Sequence, residues 1–265
     1  MSKSFDPSTW RVAVIGAGNL SWNLIPNLQA HRVEVVQLIT RSTRKLKKFA
    51  DVYGIPARST YLDEIVKSAN LVFLNVSDHA ISEVATQLAP HVNPEAIYVH
   101  ASGSIGLDAL APMGENIGVF YPMQIFTQAK VADFSELPIF LEGNEEVYRR
   151  LLPLARTLSR RVQRMSSEDR MRLHIGAVMV CNFVNHLFKT ARDAMPGTDF
   201  EIYEPLIREH IDKVFTVGPQ NTQTGPAIRG DMITLQKHLH LLEGQPELQE
   251  LYRKLSMGIN PKLEL

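Results

Sequence analysis

Two glycines near the start of the chain have the spacing of a phosphate-binding turn. The segment VAVIGAGNLSWNL begins as an apolar, β-branched run, turns at Gly16 and Gly18, and continues with helical spacing. Gly16 permits the tight turn, and Gly18 lets the backbone approach a pyrophosphate. The first helical residues, Asn19 and Leu20, present free backbone N–H groups and the positive helix end to that anion. A turn without a ligand is the alternative, but the strand before it and the helix after it favour a dinucleotide site.

The segment after the second apolar run bears on which dinucleotide binds. Proteins that bind NAD usually place Asp or Glu there, where the acid contacts the ribose hydroxyls. This chain has LITRSTRKLKK, which contains no acid. Arg41 can bind a 2′-phosphate through a forked pair of charge-assisted hydrogen bonds, and Ser42 can add a hydroxyl. A basic run is often only a solvated helix start, yet its position here favours NADP as the cofactor.

Two polar loops follow later strands, NVSDHA at 75–80 and HASGS at 100–104. Ligands of a doubly wound sheet bind at the carboxyl ends of its strands. We therefore expect Val76, Ser77, His100 and Ser102 near the nicotinamide and its ribose. His100 can equally be a capping histidine at a strand end, and the sequence favours neither role.

A helix predicted from about residue 172 to residue 194 carries an unusual polar stripe. At about 100° per residue, His174, Cys181 and Asn185 fall on one side, with Asn182 beside them. An ordinary surface helix would carry lysines and glutamates there. The stripe is either a satisfied network between helices or the wall of a cleft. In the second case Asn182 or Asn185 orients a substrate carbonyl or imine, and His174 donates a proton.

The segment NTQTGPAIRGDM, at 221–232, combines amides, hydroxyls and glycines around Arg229. Such a loop can bind a carboxylate-bearing substrate, with Arg229 contacting the carboxylate in a forked geometry. The simpler interpretation is a connection between helices, in which Gly225 and Pro226 make the turn and Asp231 caps the next helix. We expect no metal site, because the nine histidines include no HExxH pair and no cluster with carboxylates at short spacing.

The elements that must position these residues change character along the chain. Apolar strands at 11–16, 33–40, 70–76, 96–101, 116–121 and 137–143 alternate with helical spacing, which indicates a parallel sheet covered on both faces. After about residue 166 helical patterns dominate. The prediction is an α/β protein, a Rossmann-like doubly wound parallel sheet followed by an all-helical C-terminal domain. We place an NADP-binding domain at 1–150 and a helical substrate and dimerisation domain at 151–265.

Composition limits the classes of partner. The chain has 265 residues with 28 basic and 28 acidic side chains, so it lacks the basic surface that nucleic acids and anionic membranes attract. Its single cysteine, Cys181, cannot form an internal disulfide, and no apolar run is long enough to span a bilayer. The start, MSKSFDPSTWR, does not read as a signal peptide. We therefore expect a soluble cytoplasmic protein that acts on a small molecule and binds neither nucleic acid nor membrane.

Five segments carry a family resemblance: VIGAGNLSWNL, VHASGSIGLDAL, GVFYPMQIF, HIGAVMVCNFVNHLF and QTGPAIRGD. Over nearly the whole chain they resemble Rossmann-like NADP oxidoreductases with a C-terminal domain of unknown function (DUF2520). The N-terminal half is also similar to pyrroline-5-carboxylate reductases and to NADP reductases that use a deazaflavin coenzyme. The helical half resembles the C-terminal domains of 6-phosphogluconate and hydroxyacid dehydrogenases, which use a lysine and an asparagine on their central helix.

The resemblance implies a function and an assembly. No lysine precedes Lys189 on the central helix, so His174 with Asn182 or Asn185 is expected to replace the lysine–asparagine pair. The leading hypothesis is a reductase that uses NADPH to reduce a small carbonyl or imine compound. Because this lysine is missing, the sequence also allows a different class of function, that of a non-catalytic NADP-binding sensor or scaffold. Because related dehydrogenases pair through this region, we expect a homodimer built mainly from residues after about 165.

Overall fold

The computed structural model describes residues 6–195 and 197–265, which form two compact units. The first unit ends at Gly176 and the second begins at Ala177. The sequence pattern predicts a domain boundary at residue 150. The division falls later because a short strand after residue 160 joins the sheet of the first unit.

The first unit is built on one eight-stranded sheet in the order β3-β2-β1-β4-β5-β6-β7-β8. All neighbouring strands are parallel except β6 and β7, which are antiparallel. The order reverses between β1 and β4, which is where a doubly wound sheet opens a crevice at the carboxyl ends of its strands. The strands are β1 Arg11–Ile15, β2 Glu34–Ile39, β3 Ala57–Ser59, β4 Leu71–Leu74, β5 Ile97–His100, β6 Ile117–Pro122, β7 Ile139–Gly143 and β8 Val162–Arg164.

Helices cover both faces of this sheet, which is why its central strands are apolar along nearly their whole length. Buried side chains of α1, α2 and α4 share one core with the sheet, and those of α3 share a second core with it. The helices of the first unit are α1 Asn19–Ala30, α2 Thr43–Tyr53, α3 Ile81–Leu88, α4 Glu145–Leu158 and α5 Ser167–Ala177, the last of which reaches the start of the second unit. The predicted Rossmann-like sheet is therefore confirmed.

Three elements of the first unit were not predicted. Strands β3 and β8 have only three residues each, ARS and VQR, and their polar composition hides them from an apolar pattern. Helix α4 contains Pro153 in its interior, and a proline normally ends a helix. Its start was nevertheless marked, because Asn144 accepts a hydrogen bond from the Val147 N–H at 2.9 Å.

The second unit is helical, as predicted. It begins with a π-helical segment, Val178–Phe183, in continuation of α5. The helices that follow are α6 Val184–Ala194, α7 Glu204–Val217, α8 Pro219–Thr222, α9 Pro226–Arg229, α10 Met232–Leu241 and α11 Pro246–Ile259. Within the described ranges no helix combines the length and the apolar character needed to cross a bilayer.

Candidate functional site

A cleft of about 680 Å³ lies in the first unit at the carboxyl ends of β1, β2 and β4. This volume is within the range of small-molecule and cofactor sites. Its walls come from the turn after β1, the end of β2, the loop after β3, the end of β4 and helix α3. The cleft therefore occupies the place that the strand order assigns to a ligand.

The glycine turn has the geometry that phosphate binding requires. Gly16 has φ +107°, and a Cβ there would lie 2.2 Å from the backbone oxygen of Asn75, so only glycine fits. A Cβ on Gly18 would meet no atom within 4 Å, which leaves its backbone open to the cleft. Gly18 also precedes α1 without a side-chain cap. The first N–H groups of this 12-residue helix are thus not capped by that residue and can bind an anion.

The side chains of the first two residues of α1 contact other parts of the protein. Asn19 donates from Nδ2 to the backbone oxygen of Phe126 at 3.0 Å, and Leu20 packs against the hydrophobic core. Only the backbone N–H groups of these two residues are therefore candidates for contact with a cofactor.

The residues of the basic segment after β2 have two different roles. Arg41 and Lys45 line the cleft, and no acidic residue stands at the end of β2. Ser42 instead caps α2, where its Oγ accepts the Lys45 N–H at 3.3 Å. Acidic side chains enter the cleft from other elements, namely Asp63 and Glu83.

The two polar loops behind the cleft also differ. Val76 and Ser77 line the cleft, whereas His100 and Ser102 are buried and do not. A hydrogen bond joins the loops, because Ser104 donates from Oγ to Oδ2 of Asp78 at 2.6 Å. The loop after β5 thus stands beside the cleft without forming its wall.

His100 has the geometry of the capping role that the sequence left open. The Ser102 N–H donates to its Nδ1 at 3.2 Å, and its Nε2 lies 3.2 Å from the backbone oxygen of Gly106. Burial, and to a smaller extent the positive charge of Arg170, lowers the pKa of His100 to about 4. A neutral ring with Nδ1 as acceptor and Nε2–H as donor satisfies both contacts. His100 therefore holds the loop after β5.

A histidine, a tyrosine and a glycine from three elements meet near the carboxyl ends of β5 and β6. The Tyr121 hydroxyl lies 3.4 Å from Nδ1 of His174, and their ring centroids are 6.4 Å apart. Gly103 sits against both rings, since a Cβ there would lie 2.6 Å from His174 Nδ1 and 3.0 Å from Tyr121 Cζ. Burial raises the pKa of Tyr121, which keeps its hydroxyl protonated. The contact at Nδ1 leaves Nε2 of His174 as the ring nitrogen for other chemistry.

Sequence reasoning missed Tyr121 and Arg170. Tyr121 lies in the segment GVFYPMQIF, near the end of a predicted strand, where its hydroxyl was a usable signal. Arg170 is a charged residue in an apparently ordinary helix start, yet it is only 1% exposed and pairs with Glu142. No sequence pattern distinguishes it from the exposed Arg172 on the same helix.

The other predicted catalytic residues belong to the second unit. Asn182 and Asn185 are exposed there. The predicted stripe assumed regular α-helical spacing from residue 174 to residue 185, but the π-helical segment Val178–Phe183 interrupts it. A π-helix bonds residues five apart, so 100° per residue does not apply across it. The polar residues before and after this segment therefore do not form the single continuous stripe that was predicted. They lie on two faces of the helix that are rotated relative to one another.

The loop around Arg229 is a pair of tight turns. Gly225 with φ +106° precedes α9, and Gly230 with φ +68° ends it. Asp231 then caps α10, because its carboxylate accepts from the N–H and the hydroxyl of Thr234 at 3.1 and 2.7 Å. These two hydrogen bonds lower the pKa of Asp231, and the nearby Arg229 adds to this. Arg229 itself is exposed.

Comparisons with known proteins agree with this architecture. The profile of a Rossmann-like domain matches residues 1–126, and that of a domain of unknown function (DUF2520) matches residues 137–259. A solved structure from Bacteroides fragilis, described as a "putative NADP oxidoreductase", is 35% identical with a TM-score of 0.89, and the alignment covers 97% of this chain and 100% of that one. An imine reductase from Myxococcus stipitatus in complex with NADP⁺ shares the fold at 15% identity, with a TM-score of 0.68 over 95% of this chain and 93% of that one.

One curated relative matches part of the chain. Pyrroline-5-carboxylate reductase of Pseudomonas aeruginosa is 33% identical over 100 residues, which are 37% of this chain and 36% of the reductase. The match thus spans about a third of that enzyme's length. All three of these proteins are named as reductases or oxidoreductases. The likeness of the helical half to 6-phosphogluconate dehydrogenase stays a prediction.

Proposed function

The chain belongs to the family that joins a Rossmann-like domain to DUF2520, and on this premise we propose that it is an NADPH-dependent reductase of a small carbonyl or imine compound. One observation carries the proposal: the uncapped start of α1 and the side chains of Arg41 and Lys45 border the same cleft. A pyrophosphate fits the first of these and a 2′-phosphate fits the second. The two sites together match the charges of NADP.

The residues behind the cleft support the reductive chemistry. When bound, a reduced nicotinamide supplies the hydride. We assign to His174 the proton that the substrate oxygen or nitrogen takes up when its carbon receives that hydride. Tyr121 can donate to a neutral His174 at Nδ1 and can accept from a protonated one, so it orients the ring in both states. The separation of 3.4 Å is long, as catalytic hydrogen bonds often are before substrate binds.

Further substrate contacts are proposed on chemical grounds. Arg229 is an exposed guanidinium that suits a substrate carboxylate, and Asn182 and Asn185 are exposed amides that suit a carbonyl or imine. The turns around Arg229 are accounted for by capping alone. Capping does not account for the choice of arginine at this position.

The test is NADPH oxidation with a panel of keto acids, aldehydes and cyclic imines. We expect at least one class to be reduced, and His174→Gln to lower kcat by about 10²- to 10⁴-fold with NADPH affinity unchanged. The control is His210→Gln, which removes an exposed histidine of the second unit. Tight NADPH binding without turnover across the whole panel would contradict the reductase and favour the sensor.

We also propose that the protein is a homodimer formed mainly by the second unit. Fourteen of the twenty large apolar side chains that are exposed among the described residues lie at or after Met179. Burial of such a surface is the usual driving force of association. Light scattering at micromolar concentration should give a dimer that Phe215→Glu dissociates. The matched control Val52→Glu, at an exposed apolar residue of the first unit, should leave the dimer intact.

A further inference from the structure

A buried arginine lies one helical turn before His174 on α5. Arg170 is 1% exposed, and its partner Glu142, on β7, is 18% exposed. Residues four apart on a helix share a face, so Arg170 and His174 both face the loop after β5. The guanidinium thus lies between strand β7 and the loop that carries Gly103.

The guanidinium uses four of its five N–H donors on defined partners. It donates to a carboxylate oxygen of Glu142, to the backbone oxygens of Ser102 and Ile105 at 3.1 and 2.5 Å, and to the Ser167 hydroxyl at 3.2 Å. Two of these four acceptors are backbone atoms of the loop, and they flank Gly103 on both sides.

Ser167 and Glu142 extend this connection. Ser167 donates its N–H to Glu142 at 3.0 Å, and its Oγ also lies within hydrogen-bond distance of that carboxylate. The same Oγ accepts the Leu107 N–H at 3.0 Å, at the far end of the loop. Together, Arg170 and Ser167 bond the loop at residues 102, 105 and 107.

We propose that Arg170 is a positioning residue: paired with Glu142, it fixes the loop from 102 to 107 so that Gly103 holds the His174 imidazole against Tyr121. Gly103 is the contact through which this acts, since a Cβ at this position would lie only 2.6 Å from His174 Nδ1. The consequence for catalysis rests on the proposed function of His174, whereas the geometric consequence does not.

Stability alone does not explain a buried ion pair at this place. Replacing such a pair by apolar side chains of similar volume is often neutral or stabilising, because the charges must be desolvated. A planar fork that reaches two backbone oxygens and a carboxylate gives a fixed geometry that neither an apolar pair nor a lysine provides. The arrangement is therefore suited to orientation.

The experiment compares Arg170→Lys with Arg172→Lys, a control on the same helix whose arginine is exposed and pairs with Glu168. Amide hydrogen exchange of residues 103–106 should accelerate at least about tenfold in Arg170→Lys, with the amides of β1 and β4 unchanged. The ¹⁵N signals of the His174 ring, measured at alkaline pH, should report one tautomer in the parent protein. In Arg170→Lys they should report a mixture of tautomers. The control should match the parent in both measurements.

Unchanged ring signals together with unchanged loop exchange in Arg170→Lys would overturn the proposal. Faster amide exchange spread evenly over the sheet would overturn the proposal as well, because it would indicate that the Arg170–Glu142 ion pair only stabilises the fold. If Arg170→Lys does not fold, Ser167→Ala is measured in the same way and decides by the same two criteria. A His174→Gln enzyme with full turnover would remove His174 from the chemistry, while the ring signals would still decide the role of Arg170.

Discussion

In the first unit, strands β1, β4 and β5 are almost wholly buried, whereas in the second unit Phe215, Leu241 and Ile233 are 87%, 77% and 70% exposed. Among the described residues only Ala227, Leu235, Leu239 and Leu263 are buried apolar residues of the second unit. A sheet covered by helices completes its own core, but short helices with apolar faces need another surface. The first unit thus has a complete core of its own, whereas the second leaves large apolar side chains exposed.

The largest expected effect is a difference in the free energy of unfolding between substitutions of two phenylalanines, one in each unit. Phe120 is fully buried and makes an edge contact with Phe73 at 5.4 Å between ring centroids. Phe120→Ala should lower the free energy of unfolding by about 3–5 kcal/mol at any protein concentration. Phe215→Ala should have an effect that grows with protein concentration, because in the proposed dimer a second chain covers this side chain. Urea unfolding at two concentrations measures both, and a Phe215 effect independent of concentration would contradict the proposed dimer.

The next effect concerns pH and the first unit. The folded state keeps His100 neutral down to about pH 4, whereas the unfolded ring takes up its proton near pH 6.5. The unfolded state therefore binds more protons between these values, and stability falls as the pH drops through this window, by about 3 kcal/mol at most.

Unfolding measured from pH 7 to pH 4 should show a flatter dependence in His100→Gln than in the parent. His210→Gln, at an exposed position of the second unit, should follow the parent curve. Equal slopes for the parent and His100→Gln would mean that burial of this ring does not shape the acid response.

A smaller effect tests the cofactor end of the cleft. Arg41→Ala should weaken NADPH binding by about 1–3 kcal/mol, the scale of a charge-assisted hydrogen bond, and leave NADH binding nearly unchanged. Arg44→Ala is the matched control, because Arg44 is in the same basic run but does not line the cleft. Calorimetric titration measures both. Equal affinity of the parent for NADH and NADPH would contradict the choice of NADP.

The smallest expected effects are on melting temperature and turnover, and they distinguish Asp231 from Arg229 in the second unit. Asp231→Ala should lower the melting temperature, because it removes the cap of α10. Arg229→Lys keeps the charge but loses the fork, so it should leave the melting temperature and NADPH affinity unchanged and reduce turnover. If Arg229→Lys instead lowers the melting temperature with turnover per folded molecule unchanged, Arg229 is a structural residue.

Local chemistry made the sheet and the phosphate turn predictable. The central strands are continuous apolar runs, and Gly16 stands where no other residue fits. The edge strands β3 and β8 were missed because three residues, two of them polar, carry no periodic signal. Helix α4 was missed although its asparagine cap is visible in the sequence.

The candidate site was less accessible, because it depends on contacts between distant residues. Tyr121 and His174 are 53 positions apart, and only the folded chain brings them together. Ser42, which is predicted to contact a cofactor, caps a helix, a role that the same residue type performs equally well; its contact with a cofactor stays a prediction. The π-helical segment could not be foreseen, since its residues VMVCNF also suit an ordinary α-helix.

That segment has a genetic consequence. A π-helical turn holds one residue more than the α-helical turn it replaces, so it is the natural product of a single-codon insertion into a helix. Because the wide turn absorbs the additional residue, deleting one codon between Val178 and Phe183 would restore the α-helix and leave the later side chains pointing nearly as they do now. Deleting one codon at the start of α6, where the helix is regular, would instead turn every later residue of α6 by about 100° around the axis.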